Sequence, residues 1–267
     1  MPSLSTRDGS ALFYRDWGRG RPVVFVHSML MSSDMWQQQL LWMADHGYRA
    51  IAYDRRGHGR SDDPGTGYDF DTLADDLATL LDTLGLTEVT LVGHSMGGGE
   101  VVRYLSRHGA RRVARVALVA STVPRLHVDA DSRAALLTRL RSDYGRWVAD
   151  NAGLSFGDGL PGAAIAELDR ERTVRDWLGV SQYAAVACTA ANLAADFSAE
   201  LSAIEAPMLI VHGDHDAFAP VETCGRRSAR LARNGTLLVY RNAAHMLQLS
   251  HRDRLNNDLL AFVRAAR

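Results

Sequence analysis

Gly93-His94-Ser95-Met96-Gly97 places a serine between two glycines, directly after the apolar run Val89–Val92 and ahead of a helical pattern beginning near Gly98. A strand–turn–helix of this kind forces the central residue into a strained backbone and lifts its hydroxyl above the sheet. Small residues are needed two positions either side, and Gly93 and Gly97 supply them. Such a serine is a nucleophile once a base takes its proton. His245, in Asn242-Ala243-Ala244-His245-Met246, follows the last strand pattern and precedes the last helical one. Loops of that type meet at the carboxyl ends of parallel strands, where Ser95 also stands. The run Met208–Val211 leads into His212-Gly213-Asp214-His215-Asp216, which offers two carboxylates, Asp214 and Asp216, to orient that histidine. Both are available as the acid from spacing alone, and the one that does not serve shapes the turn through side-chain to backbone hydrogen bonds. The same four side chains make a poor metal site, because neighbours on one loop rarely converge on one ion. No metal and no cofactor is expected.

Acyl transfer also needs donors for the oxyanion, each worth roughly 3–4 kcal/mol. The backbone N–H of Met96, after the nucleophile, is one. The other is assigned to Met29, in the loop His27-Ser28-Met29-Leu30 after the run Val23–Val26. Ser28, Leu30, Phe218 and Met246 neighbour these positions in the chain and are the candidates for substrate contact. The charged loop Asp54–Asp62 reads as a solvated turn held by arginine–carboxylate bonds rather than an anion site. Its G-x-G is no dinucleotide fingerprint, since Asp62 stands where a third glycine belongs.

These residues need a scaffold, and the 267 residues allow about one to two domains. Apolar runs at Val23–Val26, Arg49–Tyr53, Val89–Val92, Val113–Val119, Met208–Val211 and Thr236–Tyr240 read as buried strands. Leu73, Leu77, Leu80, Leu81 and Leu84 repeat at helical spacing until Gly85, and Val101–Leu105 do so until Gly109. Leu255–Phe262 form a closing helix. The fold class is α/β, a mostly parallel sheet with helices on both faces. Ala11–Trp17 alternates and is expected to pair with Val23–His27 as an antiparallel edge hairpin. Between 123 and 206 no strand pattern appears. Helical spacing at Ala134–Val148 and Arg175–Leu193, around a loop from Asn151 to Gly162, gives a helical cap at 123–206 over a core of 1–122 and 207–267. Trp147, Trp177, Tyr183 and Phe197 are read as cap packing, with one or two lining a pocket.

Composition narrows the function. Hydrophobic residues are 46%, charged residues 23% and the net charge is −1, which excludes a disordered chain and gives no basic surplus for nucleic acid. Every one of the 30 basic residues is arginine, so a Walker phosphate loop and any catalytic lysine are excluded. Cys188 and Cys224 stand far apart, as in a reducing compartment. No apolar run approaches the roughly 20 residues of a membrane span. A cytoplasmic enzyme with a small-molecule partner is expected, with no nucleic acid and no membrane; nothing in the sequence selects an oligomeric state.

The chain resembles the α/β-hydrolases, and within them the bacterial arylesterases of the cofactor-free haloperoxidase (perhydrolase) group. Y-D-R-R-G-H-G-R-S-D at Tyr53–Asp62, L-V-G-H-S-M-G-G-G-E-V-V-R-Y at Leu91–Tyr104, L-I-V-H-G-D-H-D-A-F-A-P at Leu209–Pro220 and D-R-L-N-N-D-L-L-A-F at Asp253–Phe262 carry the likeness. The resemblance implies Ser95 as nucleophile, Asp216 as acid and His245 as base, in the chain order of that fold. It implies Met29 and Met96 as oxyanion donors and small to medium esters as substrates. Lactones, amides, a carbon–carbon bond or perhydrolysis are alternatives for the same triad, and a non-catalytic binding protein is the remaining one. Two departures count against peroxide chemistry. Ser28, Met29 and Leu30 replace the family's Gly, aromatic and Pro, with a hydroxyl now beside the oxyanion, and Met246 replaces a Gly after the histidine. Met29, Met96 and Met246 would crowd the nucleophile with oxidisable thioethers.

Overall fold

The computed structural model describes residues 2–265. Eight strands form one sheet: β1 (Ser3–Ser5), β2 (Ala11–Gly18), β3 (Pro22–Val26), β4 (Arg49–Tyr53), β5 (Val89–His94), β6 (Val113–Val119), β7 (Met208–Gly213) and β8 (Gly235–Tyr240). Their order is β1-β2-β4-β3-β5-β6-β7-β8. From β4 to β8 every pairing is parallel, while β2 runs antiparallel to β4 and β1 antiparallel to β2. All residues of β5 and β7 are buried, as strands covered on both faces must be.

The expected pairing of β2 with β3 is not formed; β4 lies between them. Glycines explain the crossing. A Cβ on Gly18 would fall 2.4 Å from Tyr48 O, and one on Gly20 2.2 Å from Gly47 O. These two residues let the chain pass against the entry of β4 before turning into β3. The edge strand β1, three residues long, has no period for a sequence reading to find.

Helices α1 (Gln37–Asp45), α2 (Phe70–Thr83) and α3 (Met96–His108) join the first strands. In α2, Asp69 caps the start by accepting from Thr72 N at 3.0 Å, and Leu73, Leu77, Leu80 and Leu81 face the core. Five helices lie between β6 and β7: α4 (Ala130–Ser142), α5 (Tyr144–Phe156), α6 (Glu167–Leu178), α7 (Gln182–Ala194) and α8 (Ser198–Ala203). The stretch Ala134–Val148 is therefore two helices, divided where Asp143 caps α5 by accepting from Arg146 N. Arg175–Leu193 is likewise divided, with Ser181 capping α7. Residues 151–156 belong to α5, not to a loop, and α5 ends at the left-handed Gly157. After β7 come α9 (Gly225–Leu231), α10 (Leu247–Ser250) and α11 (Arg252–Arg264).

Candidate active site

Ser95 follows β5 with φ +53° and opens α3. The close approach that imposes this turn is measurable at its flanks. A Cβ on Gly93 would sit 2.5 Å from Gly97 O, and one on Gly97 2.7 Å from both Val26 O and His27 O. Four non-glycine residues with positive φ lie just past the carboxyl ends of strands: Leu30 after β3, Ser95 after β5, Ala120 after β6 and Asn242 after β8. Backbone strain thus gathers at the rim where the candidate chemistry sits.

The structure brings the three sequence-chosen residues into one line. Ser95 Oγ lies 3.0 Å from His245 Nε2, and His245 Nδ1 lies 2.8 Å from Asp216 Oδ2 and 3.0 Å from Oδ1. With Nδ1–H donating to the carboxylate, Nε2 is free to accept the serine proton. All three are buried. Asp216 also accepts from Phe218 N at 3.0 Å and Ala219 N at 2.9 Å. Burial pushes its carboxyl up, but His245, His212 and the Ala219 N–H outweigh that and hold it below the ordinary range. Asp214 sits outside this line. It accepts from His215 Nδ1 at 2.6 Å and Ala243 N at 3.3 Å, so it braces the turn and the loop that carries His245. His212 instead bonds Ala219 O, and among the described residues no set of three His, Cys, Asp or Glu is arranged for a metal.

His94, the second letter of the motif, is a brace that the sequence reading did not assign. Its Nε2–H donates to His245 O at 3.0 Å. Burial and then His245 lower its pKa to about 3, so it stays neutral. The N–H groups of Met29 and Met96 meet no acceptor among the described residues. The Met96 side chain is fully buried, whereas Met29, Ser28, Leu30, Phe218 and Met246 border a cavity of about 210 Å³ above Ser95 and His245. Its remaining wall comes largely from the helices between β6 and β7, including Leu136, Val148 and both Trp147 and Trp177. Phe197 packs on Phe70 away from it, and Tyr183 is 63% exposed rather than packed. The wall residues Thr122, Asn151, Thr189 and Asn192 carried no sequence signal, since single polar residues in helical stretches look like surface.

The charged loop is not the solvated turn expected. Asp54, Arg55, Arg56 and His58 are each 0–1% exposed. Arg55 pairs with Glu100 of α3 at 2.8 Å, and Arg56 grips Asp76 of α2 through Nε at 2.7 Å and Nη2 at 2.8 Å. Arg55 also donates to His27 O at 2.9 Å and Ser28 O at 3.4 Å, and so supports the loop that carries Met29. Burial lowers the Arg55 pKa to about 10 and raises that of Glu100, and each remains in the core as the other's partner.

Residues 21–252 match the model of the alpha/beta hydrolase fold family. The chain is 39% identical to the non-heme chloroperoxidase CPO-A1 of Kitasatospora aureofaciens, over 98% of this chain and 99% of that one. It is 36% identical to the bifunctional esterase/perhydrolase DCH of Acinetobacter calcoaceticus, over 99% and 100%. The crystal structure of a bromoperoxidase from Bacillus anthracis superposes with a TM-score of 0.93 at 31% identity, covering 99% of this chain and 100% of that one. With the sheet order, the serine turn and likeness along nearly its full length in agreement, this chain belongs to the α/β-hydrolase fold family, in its cofactor-free haloperoxidase group.

Proposed function

We propose that the protein is a carboxylic ester hydrolase working through an acyl-enzyme on Ser95. The observation that carries this reading is the hydrogen-bonded line Asp216–His245–Ser95 opening onto a largely apolar cavity. His245 takes the Ser95 proton as the hydroxyl attacks the ester carbonyl, and Asp216 holds the imidazole tautomer and stabilises its charge. The N–H groups of Met29 and Met96 receive the oxyanion. Collapse expels the alcohol, protonated by His245. Water activated by the same histidine then releases the acid. Residues 123–206 act as a cap that sizes the acyl and alcohol groups admitted. Cys188 and Cys224 are free buried thiols, which supports a cytoplasmic enzyme; among the described residues no helix is long and apolar enough to cross a membrane.

Hydrolysis of p-nitrophenyl esters of increasing acyl length tests this, with Ser95→Ala as control. Turnover by the wild type that vanishes in the variant supports the assignment. Equal turnover in both overturns it. Perhydrolysis is the second reading, favoured by the names of the relatives. Against it stands Leu30 at φ +63°, a value that the proline ring usual at this position does not reach. Peracid formed from acetate and hydrogen peroxide, measured beside ester hydrolysis, decides between them.

A further inference from the structure

One polar side chain in the cavity wall carries a hydrogen-bonding group that the protein leaves unused. Asn192 projects from α7 and is 7% exposed. Thr122, just past β6, donates its hydroxyl to Asn192 Oδ1 at 2.9 Å. In this arrangement Oδ1 faces Thr122 and Nδ2 is turned away from it. Among the described residues Nδ2 meets no acceptor, and Asn192 borders the cavity. Thr122 is itself held at the nucleophile, its N–H directed at Ser95 O at 3.4 Å. The amide is therefore fixed two hydrogen-bonded links from the reacting serine.

Nδ2 is not one of the sealed polar atoms left without a partner, so its hydrogens are open to whatever fills the cavity, where a leucine would offer no donor. We propose that Asn192 is a specificity-determining residue: its Nδ2 donates to an acceptor oxygen that the substrate carries apart from the scissile carbonyl. This rests on the ester-hydrolase reading and deepens it. The preferred class becomes esters bearing an alkoxy, hydroxy or oxo oxygen, over plain alkyl esters of equal length. A site built with a donor rejects the analogue lacking the acceptor, because the donor is then left unpaired.

The test uses two matched pairs. One carries the oxygen in the acyl chain, p-nitrophenyl 3-methoxypropanoate against p-nitrophenyl pentanoate. The other carries it in the alcohol, 2-methoxyethyl butanoate against butyl butanoate. For each ester, kcat/KM is measured in the wild type and in Asn192→Leu. Dividing the wild-type/variant ratio of the oxygenated ester by that of its alkyl partner cancels intrinsic reactivity and any misfolded fraction. The expected quotient is about 10 in one pair. Thr122→Val, which releases the amide from its tether, should bring that quotient down when it takes the wild type's place. A quotient near 1 in both pairs, on esters that turn over, overturns the role of Asn192 and leaves the esterase reading standing. Failure of the wild type to hydrolyse any of the four esters overturns the esterase reading and this proposal with it.

Discussion

Asp176, on α6, accepts two hydrogen bonds from Ser32 in the loop after β3, from its N–H at 3.0 Å and its hydroxyl at 3.0 Å. An acid from the helices between β6 and β7 thereby grips the core beside the loop that carries Met29. Burial, and after it the negative Asp34 and Asp54, raise the Asp176 pKa to about 6 despite those bonds. Between the ordinary value of 3.8 and about 6, the folded protein holds a proton that the unfolded chain releases. The contribution to stability is full below the lower value and is lost as pH rises through the upper one. Asp176→Asn keeps an acceptor for Ser32 and removes the buried charge. Its melting temperature should exceed the wild type's at pH 7.5, with the gap closing by about pH 4. Thermal melts across pH measure this, and a gap independent of pH refutes the account.

Asp216→Asn tests the role of the carboxylate apart from its shape. The amide N–H₂ facing Nδ1 favours the tautomer with a proton on Nε2, which then cannot accept from Ser95. A fall in kcat of about 10⁴-fold is expected, with the melting temperature little changed. Residual activity within tenfold of the wild type would mean that another group orients His245.

The pair Arg55–Glu100 should matter twice. Glu100→Gln leaves the Arg55 charge uncompensated in the core, at a cost of about 3–5 kcal/mol. A urea unfolding midpoint measures that loss. The double variant Arg55→Met, Glu100→Leu should recover much of the stability. It also removes the bonds to His27 O and Ser28 O, so its kcat should remain depressed while the protein is folded. Recovery of both together would leave the pair a purely structural part.

Gly97→Ala places a methyl group against the carbonyls of Val26 and His27, both of them backbone and unable to step aside. A loss of about 1–3 kcal/mol is expected, together with lower activity from displacement of the Met96 N–H. Gly9→Ala meets nothing within 4 Å and serves as the contrast, since its cost is the backbone strain of its positive φ alone. Equal losses in the two would show that crowding at the serine turn is not what demands glycine.

The parts of the site legible in the sequence were those written as local patterns. Gly93–Gly97 announce a tight turn because the steric demand falls within five residues, and β-branched runs mark strands buried on both faces. His245 was chosen by chain order once the serine was placed, whereas spacing left Asp214 and Asp216 both open and the family likeness selected Asp216. The burial of Arg55 and Arg56 was not legible, because their partners Glu100 and Asp76 lie on separate helices and charge alone suggests solvent. The position of β2 depended on Gly18 and Gly20 crossing a strand that comes later in the chain. Asn192 carried no signal, because Thr122, the partner of its amide, belongs to another segment of the chain.

The chain between β6 and β7, five helices with their connecting loops, is one run that supplies more than half of the cavity wall and none of Ser95, Asp216 or His245. What the enzyme admits and what it does to it are therefore inherited separately. Mutation or exchange within this run can retune the guest while the reacting atoms stay as they are. Joints to the core restrict that freedom, among them Asp176 holding Ser32 and Ser155 O receiving the Met246 N–H next to His245 at 3.0 Å. Any replacement segment must present an acceptor at each of these points.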